Sequence, residues 1–275
     1  MGSLDGKIAV VTGAARGQGR AHALALAAEG ATVVAADIAD QVPTVAYPMS
    51  TRADLDETVA AIAAAGGTAI GVVTDVRDSA SVQALFDEVD ARYGRLDVLV
   101  ANAGICGFAQ VHEISDEAWS DMVETNLAGA FRCIRAAVPL MRRGRFGRIV
   151  AISSGAGRGG MRNLAHYAAS KWGLIGLVKS VALEVATDGI TANVVCPTTV
   201  ATPMVLNDST FRVFCPELEH PTLDDARPRF AGITPMRQPW VEPEEITRAV
   251  LYFVGATHTS GAVLEVDLGS SANRT

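Results

Sequence analysis

Tyr167 and Lys171 stand four residues apart in a stretch, 167–187, whose composition predicts a helix, so they share one face of it. A free phenol loses its proton near about pH 10, too high for a base at neutral pH, and an adjacent ammonium stabilises the phenolate. Ser154 lies 13 residues before Tyr167, just past a predicted strand over 148–153. That end of a strand is where open parallel sheets bind ligands. The three side chains are the parts of a proton-transfer site. A lone Tyr-x-x-x-Lys occurs on many exposed helices, so its meaning rests on what accompanies it.

Residues 12–19 read Thr-Gly-Ala-Ala-Arg-Gly-Gln-Gly, between a predicted strand over 8–11 and a predicted helix over 20–29. Gly13, Gly17 and Gly19 permit a tight turn and close backbone approach, and the helix N-terminus offers N–H groups to a phosphate. The spacing is GxxxGxG, not GxGxxG, and a purely structural connection could use the same glycines. Asp37 falls 18 residues after Gly19, at the end of a predicted strand over 32–36. A carboxylate there accepts from a ribose 2′-hydroxyl and repels a 2′-phosphate; the alternative is a turn-forming Asp. Arg16 pulls the other way, as a basic residue that could meet a 2′-phosphate.

The elements that must position these residues alternate. Strands are predicted over 69–73, 96–100, 148–153, 191–195 and 262–266, besides the first two, and helices over 54–65, 79–93, 116–141 and 167–187. This rhythm implies βαβ crossovers. The expected fold is α/β: a single doubly wound Rossmann-type domain, residues 1–275, with a parallel sheet and helices on both faces. Two segments break the rhythm. Residues 38–52 carry Pro43 and Pro48 together with Val42, Val45, Tyr47 and Met49, which predicts an apolar cover over the adenosine end of a dinucleotide. Residues 198–241 carry six prolines with Met204, Leu206, Phe211, Phe214, Phe230 and Trp240, which predicts a folded lid over an apolar substrate.

The 275 residues are 49% hydrophobic and 19% charged, with a formal net charge of −7. That balance argues against a nucleic-acid partner, which needs a basic face. No apolar run reaches the length of a membrane span and no export signal opens the chain, so the expectation is a cytoplasmic protein. Cys106, Cys133, Cys196 and Cys215 have no paired-thiol or zinc spacing, and no metal is expected. Reduced thiols are favoured over disulfides. Trp119, Trp172 and Met122 read as core or interface, His166 as a hydrogen-bonded bystander beside Tyr167, and Arg142, Arg143 and Arg145 as a solvated helix end. Cys106 reads equally as pocket edge or not. Small residues on helices 116–141 and 167–187 favour helix packing across a two-fold axis, hence a homo-oligomer.

Taken together, the Gly-rich turn, Asp75-Val76, Asn102-Ala103-Gly104, Asn126, Ser153-Ser154, Tyr167-x-x-x-Lys171 and Asn193 before Pro197 resemble the short-chain dehydrogenase/reductase family over nearly the whole chain. The resemblance implies hydride transfer between NAD and an alcohol or ketone. It implies a catalytic set of Asn126, Ser154, Tyr167 and Lys171. Its cofactor set is Gly13, Arg16, Gly17, Gln18, Gly19, Asp37, Ile38, Asp75, Val76, Asn102, Ala103, Gly104, Tyr167, Lys171, Pro197, Thr198, Val200 and Thr202. Ala101 and Thr198 depart from the family pattern, where Asn and Gly are usual. The insert after Asp37, Pro197-Thr198-Thr199, Thr202-Pro203-Met204 and the stretch 235–243 resemble the mycofactocin-coupled, carveol dehydrogenase-like subfamily. That resemblance implies tightly held NAD, a terpenoid-like hydrophobic secondary alcohol or ketone, an external redox carrier and a homotetramer. Competing expectations are an NAD-binding sensor that has lost its chemistry and an ordinary dehydrogenase with freely exchanging NAD(P).

Overall fold

The computed structural model describes residues 2–272. Its sheet has seven strands: β1 (Ile8–Thr12), β2 (Thr32–Asp37), β3 (Thr68–Val73), β4 (Val98–Ala101), β5 (Gly147–Ile152), β6 (Ile190–Pro197) and β7 (Val263–Val266). Every pairing is parallel and the order is β3-β2-β1-β4-β5-β6-β7. The order reverses at β1, which lies between β2 and β4, and a crevice opens there outside the strand ends.

The strands are apolar on both faces because helices cover both. One core layer takes Ala9, Val11, Val33, Val98 and Val150 against α1 (Gly17–Ala28), α2 (Arg52–Ala64) and α9 (Pro243–Gly255). The other takes Val10, Val34, Leu99 and Ile149 against α3 (Ser79–Tyr93), α5 (Gly129–Gly144) and α6 (Ala165–Glu184). Alternate residues of one strand thus feed opposite layers, as a pleated strand requires. Helix ends follow local rules. Asp78 caps α3 by accepting from Ala80 and Ser81, and Gly94 closes it with φ +65°.

Three features depart from the expected elements. The single helix expected over 116–141 is α4 (Asp116–Val123) joined to α5 through a π-helical turn, Glu124–Ala128. The proline-rich segment holds two short helices, α7 (Asp208–Phe214) and α8 (Leu223–Gly232), and α9 follows it. Trp119 and Trp172 are about half exposed, while Met122 is buried. Of the core-or-interface reading, the core half holds for Met122 and not for the tryptophans.

Candidate active site

The Gly-rich turn leaves β1 with Gly13 at φ +65°, a backbone state that side chains rarely tolerate. A Cβ on Gly19 would stand 1.9 Å from the Gly13 carbonyl oxygen, so only glycine fits the first turn of α1. No side chain caps that helix, which leaves its leading N–H groups facing the cleft. Gln18 Oε1 is buried there without a partner. The Asn102 amide ties the turn to β4 by donating to the Thr12 and Gly13 carbonyls at 2.9 and 3.2 Å. A Gly cradle and an uncapped helix N-terminus fit a dinucleotide's phosphates.

Asp37 ends β2 and is buried. Its carboxylate accepts from the Ala15 N–H at 2.9 Å, the Ala39 N–H at 3.0 Å and the Ser50 hydroxyl at 2.6 Å. A carboxylate has about four acceptor positions, so about one remains for a ribose hydroxyl. The Arg16 guanidinium donates to the Pro48 carbonyl at 2.5 Å. That bond ties it to the insert. Further along the cleft, partial burial raises the Asp75 carboxyl, but the Arg77 guanidinium at 2.8 Å wins and holds it below the usual range. Arg77 also pairs with Asp121 at 2.9 Å.

The catalytic candidates meet at the inner end of this cleft. Lys171 Nζ donates to the Ile152 carbonyl at 2.8 Å and lies 5.7 Å from the Tyr167 ring centroid. Burial lowers Lys171 to about 8, against the opposing influence of Cys106 and Cys196. The same burial pushes the Tyr167 phenol well above its ordinary value, with Cys106 adding to the rise and a hydrogen bond with Ser154 opposing it. Both groups leave water, and burial is the largest influence on each. Asn126 sits in the π-helical turn; its Oδ1 accepts from the Ile105 N–H at 2.8 Å and its Nδ2 donates to the Ile105 carbonyl at 3.0 Å. A Cβ on Gly104 would lie 3.2 Å from Asn126 Oδ1 and 3.4 Å from Lys171 Nζ. Glycine there keeps the path between amide and ammonium open.

Most of the expected cofactor set lines this cleft: Gly13, Arg16, Gly17, Gln18, Gly19, Asp37, Ile38, Asp75, Val76, Asn102, Ala103, Gly104, Tyr167, Lys171 and Thr202. Pro197, Thr198 and Val200 do not. Pro197 ends β6, Thr198 N–H donates to Val266 at 3.0 Å, and Val200 is buried in the core and bridged to Val241. They set the course of the chain that brings Thr202 to the cleft. Ser154 and Asn126 reach the site through their neighbours: Ser154 hydrogen-bonds Tyr167, and Asn126 lies across the Gly104 gap from Lys171.

Sequence reasoning placed the insert over the adenosine end only. Val42, Val45 and Tyr47 in fact pack with Ile105, Met122, Tyr167 and Met204, beside the catalytic centre. The Tyr47 hydroxyl accepts from the Cys106 N–H at 3.3 Å. The one aromatic of a proline-bounded insert was the signal available. Met204 of the expected lid lines the cleft, and so, unforeseen, does Arg77. A second cavity shares Tyr47 and Met204 with the first and is edged by Cys106, whose thiol burial raises to about 12. All four cysteines are free. Among the described residues, no group of three or more His, Cys, Asp or Glu could hold a metal ion, and no helix is long and apolar enough to cross a membrane.

Residues 7–212 match the family model for short chain dehydrogenases. The chain is similar to (-)-trans-carveol dehydrogenase of Rhodococcus erythropolis, 40% identical over 275 residues, covering 98% of this chain and 99% of that protein. The crystal structure of carveol dehydrogenase from Mycobacterium avium in complex with NAD superposes with a TM-score of 0.96 at 40% identity, over 99% of this chain and 100% of that one. A short chain dehydrogenase from Mycobacterium paratuberculosis bound to NAD follows at 0.88 and 34% identity, over 98% and 100%. Site and match agree, and the chain belongs to the short-chain dehydrogenase family of oxidoreductases.

Proposed function

We propose that this protein is an NAD-dependent dehydrogenase acting, as one nucleotide-binding domain in the cytoplasm, on a hydrophobic, terpenoid-like secondary alcohol or its ketone. It holds its NAD beneath the insert and passes electrons to an external, mycofactocin-type carrier. The observation that carries the reading is the meeting of Tyr167, Lys171 and Ser154 at the inner end of a cleft whose outer end is Asp37, with a Gly cradle between. NAD was bound in the two similar crystal structures. When bound here, it supplies the hydride acceptor for alcohol oxidation or the donor for carbonyl reduction.

The protein's own part is orientation and proton transfer. Ser154 donates a hydrogen bond to the substrate oxygen. Tyr167 exchanges a proton with that oxygen, and its burial favours the neutral phenol, poised as an acid toward a carbonyl. Lys171 supplies positive charge where the phenolate forms, and Asn126 lies across the Gly104 gap from it, in place to extend a proton path. Asp37, with about one acceptor position left, selects a ribose hydroxyl over a phosphate. Support for a hydrophobic part of the substrate comes from Phe108, Ile114, Met204 and Val213 in the second cavity, whose wall also carries Thr44, Glu113, Ser115, Ser209 and Thr210. The lid aromatics no longer carry that argument, because Phe211 and Phe230 pack into the lid's own core.

Tyr167→Phe should slow single-turnover hydride transfer by about 10² to 10⁴-fold without loss of bound NAD. Near-normal transfer in that variant would overturn the assignment. The half-exposed Trp119, Phe131 and Trp172 on α4, α5 and α6 support a homotetramer. Light scattering should find it, and a stable monomer at micromolar concentration would refute it.

A further inference from the structure

His166, the second residue of α6, is only 3% exposed and was expected to be a hydrogen-bonded bystander. It has no such bond. Its Nδ1 is enclosed without any partner. The ring lines the second cavity together with Tyr47, Cys106, Gly107, Met204 and Thr210. A Cβ built on Gly107 would stand 3.6 Å from Nε2, so the glycine leaves that nitrogen uncovered. Burial lowers the imidazole's pKa and keeps the ring neutral at physiological pH.

A neutral imidazole has one N–H and one lone pair. An enclosed N–H without an acceptor is the rarer and costlier arrangement. We therefore assign the lone pair to Nδ1 and the proton to Nε2, which makes Nε2–H a donor at the cavity wall. The cavity adjoins the catalytic cleft through Tyr47 and Met204, which line both. The rest of the wall is mixed: Phe108, Ala109, Ile114, Ala118 and Val213 are apolar, and Thr44, Glu113, Ser115, Ser209 and Thr210 are polar. A buried donor left without a partner in that wall, one residue from Tyr167, is matched by an acceptor on the substrate.

We propose that His166 determines specificity by donating from Nε2 to a second oxygen of the substrate, remote from the carbon that exchanges hydride. The preferred substrates are then secondary alcohols or ketones bearing a further carbonyl, hydroxyl or ether oxygen. This rests on the dehydrogenase reading above and narrows its substrate class.

The test compares cyclohexanol with cyclohexane-1,3-diol and cyclohexane-1,4-diol, using enzyme carrying NAD and an artificial electron acceptor. The readout is the ratio of kcat/KM for each diol to that for cyclohexanol, so that a general loss of activity cancels. The expected ratio for at least one diol in the unmodified protein is about ten to a hundred, the scale of one hydrogen bond that would otherwise go unmade. It should fall to near one in His166→Leu and recover in part in His166→Gln, which restores a donor. Gly107→Ala leaves the histidine in place and sets a methyl group over Nε2 at ordinary contact distance; it should lower the same ratio. Ratios near one for both diols in the unmodified protein, or a high ratio unchanged in both His166→Leu and Gly107→Ala, would overturn the proposal and leave the dehydrogenase reading intact. Failure to oxidise any of the three alcohols or reduce the matching ketones would remove both.

Discussion

The two segments that break the βα rhythm solve the same problem in opposite ways. Residues 38–51 form no helix or strand, and 15 residues over 38–52 are too few to enclose a core of their own. Their apolar side chains instead borrow the surface of the site, packing on Ile105, Met122 and Tyr167. Polar bonds then pin the backbone: Ser50 to Asp37, Arg16 to Pro48, Tyr47 to Cys106, and Thr44 to Asp121 at 2.7 Å. Gln41 stitches the loop internally by donating to the Val42 and Val45 carbonyls. The 44 residues of 198–241 are enough to enclose a small cluster of their own. Phe211, Cys215, Ala226 and Phe230 form a separate core, with Phe214 4.3 Å from Phe230 and the Trp240 edge 6.2 Å away. Only Thr202, Pro203 and Met204 reach the cofactor cleft. A short insert becomes part of the site; a long one becomes a neighbour of it.

The contrast is broken or sharpened by acting on each segment alone. The largest effect should come from replacing 42–49 with two glycines. Val42, Val45 and Tyr47 each lose burial worth about 1.5–3 kcal/mol. NAD should then dissociate at least about 100-fold faster, and NAD-linked steady-state turnover should appear. Intact protein that purifies empty and cycles readily with added NAD would defeat the retention idea. Next comes Phe230→Ala, at a cost of about 3–5 kcal/mol confined to the lid. KM for the alcohol should rise while bound NAD stays in place through gel filtration. Loss of NAD instead would show that the lid, too, belongs to the cofactor site. The smallest is Ser50→Ala, which removes one hydrogen bond to a charged group, worth about 1.5–3 kcal/mol. A stopped-flow exchange measurement should find NAD release about tenfold faster or more, and an unchanged rate would mean that this bond does not hold the insert shut.

Much of the frame was legible because strand burial and helix caps are local. All seven strands follow from apolar runs, and Ser154, Tyr167, Lys171, Asp37 and the glycines from spacing against those strands. The insert's apolar character was equally visible in Val42, Val45 and Tyr47. Its reach was not, since nothing local tells Tyr47 that Cys106 lies opposite. Counting aromatics in 198–241 could not distinguish side chains that face a cavity from side chains that face each other. The π-helical turn escaped because one extra residue in a turn leaves the apolar pattern of 116–141 intact. The ionisation of Tyr167 and Lys171 depends on burial, which belongs to the whole assembled sheet. His166 was misread for the same reason: a histidine's partners, or their absence, are a tertiary fact.

The three bonds accepted by Asp37 have a consequence for the protein's history and for anyone redesigning it. On the proposed reading, one carboxylate selects the dinucleotide, props the Gly-rich turn through Ala15, and anchors the loop that shuts over the bound molecule through Ser50. Selection and retention are therefore inherited together. A substitution that admits a 2′-phosphate also unfastens the loop, so the first step from one nucleotide to the other passes through a form that leaks both. A lineage could cross only by acquiring a second fastening beforehand, and a designer must build that fastening before touching the acid.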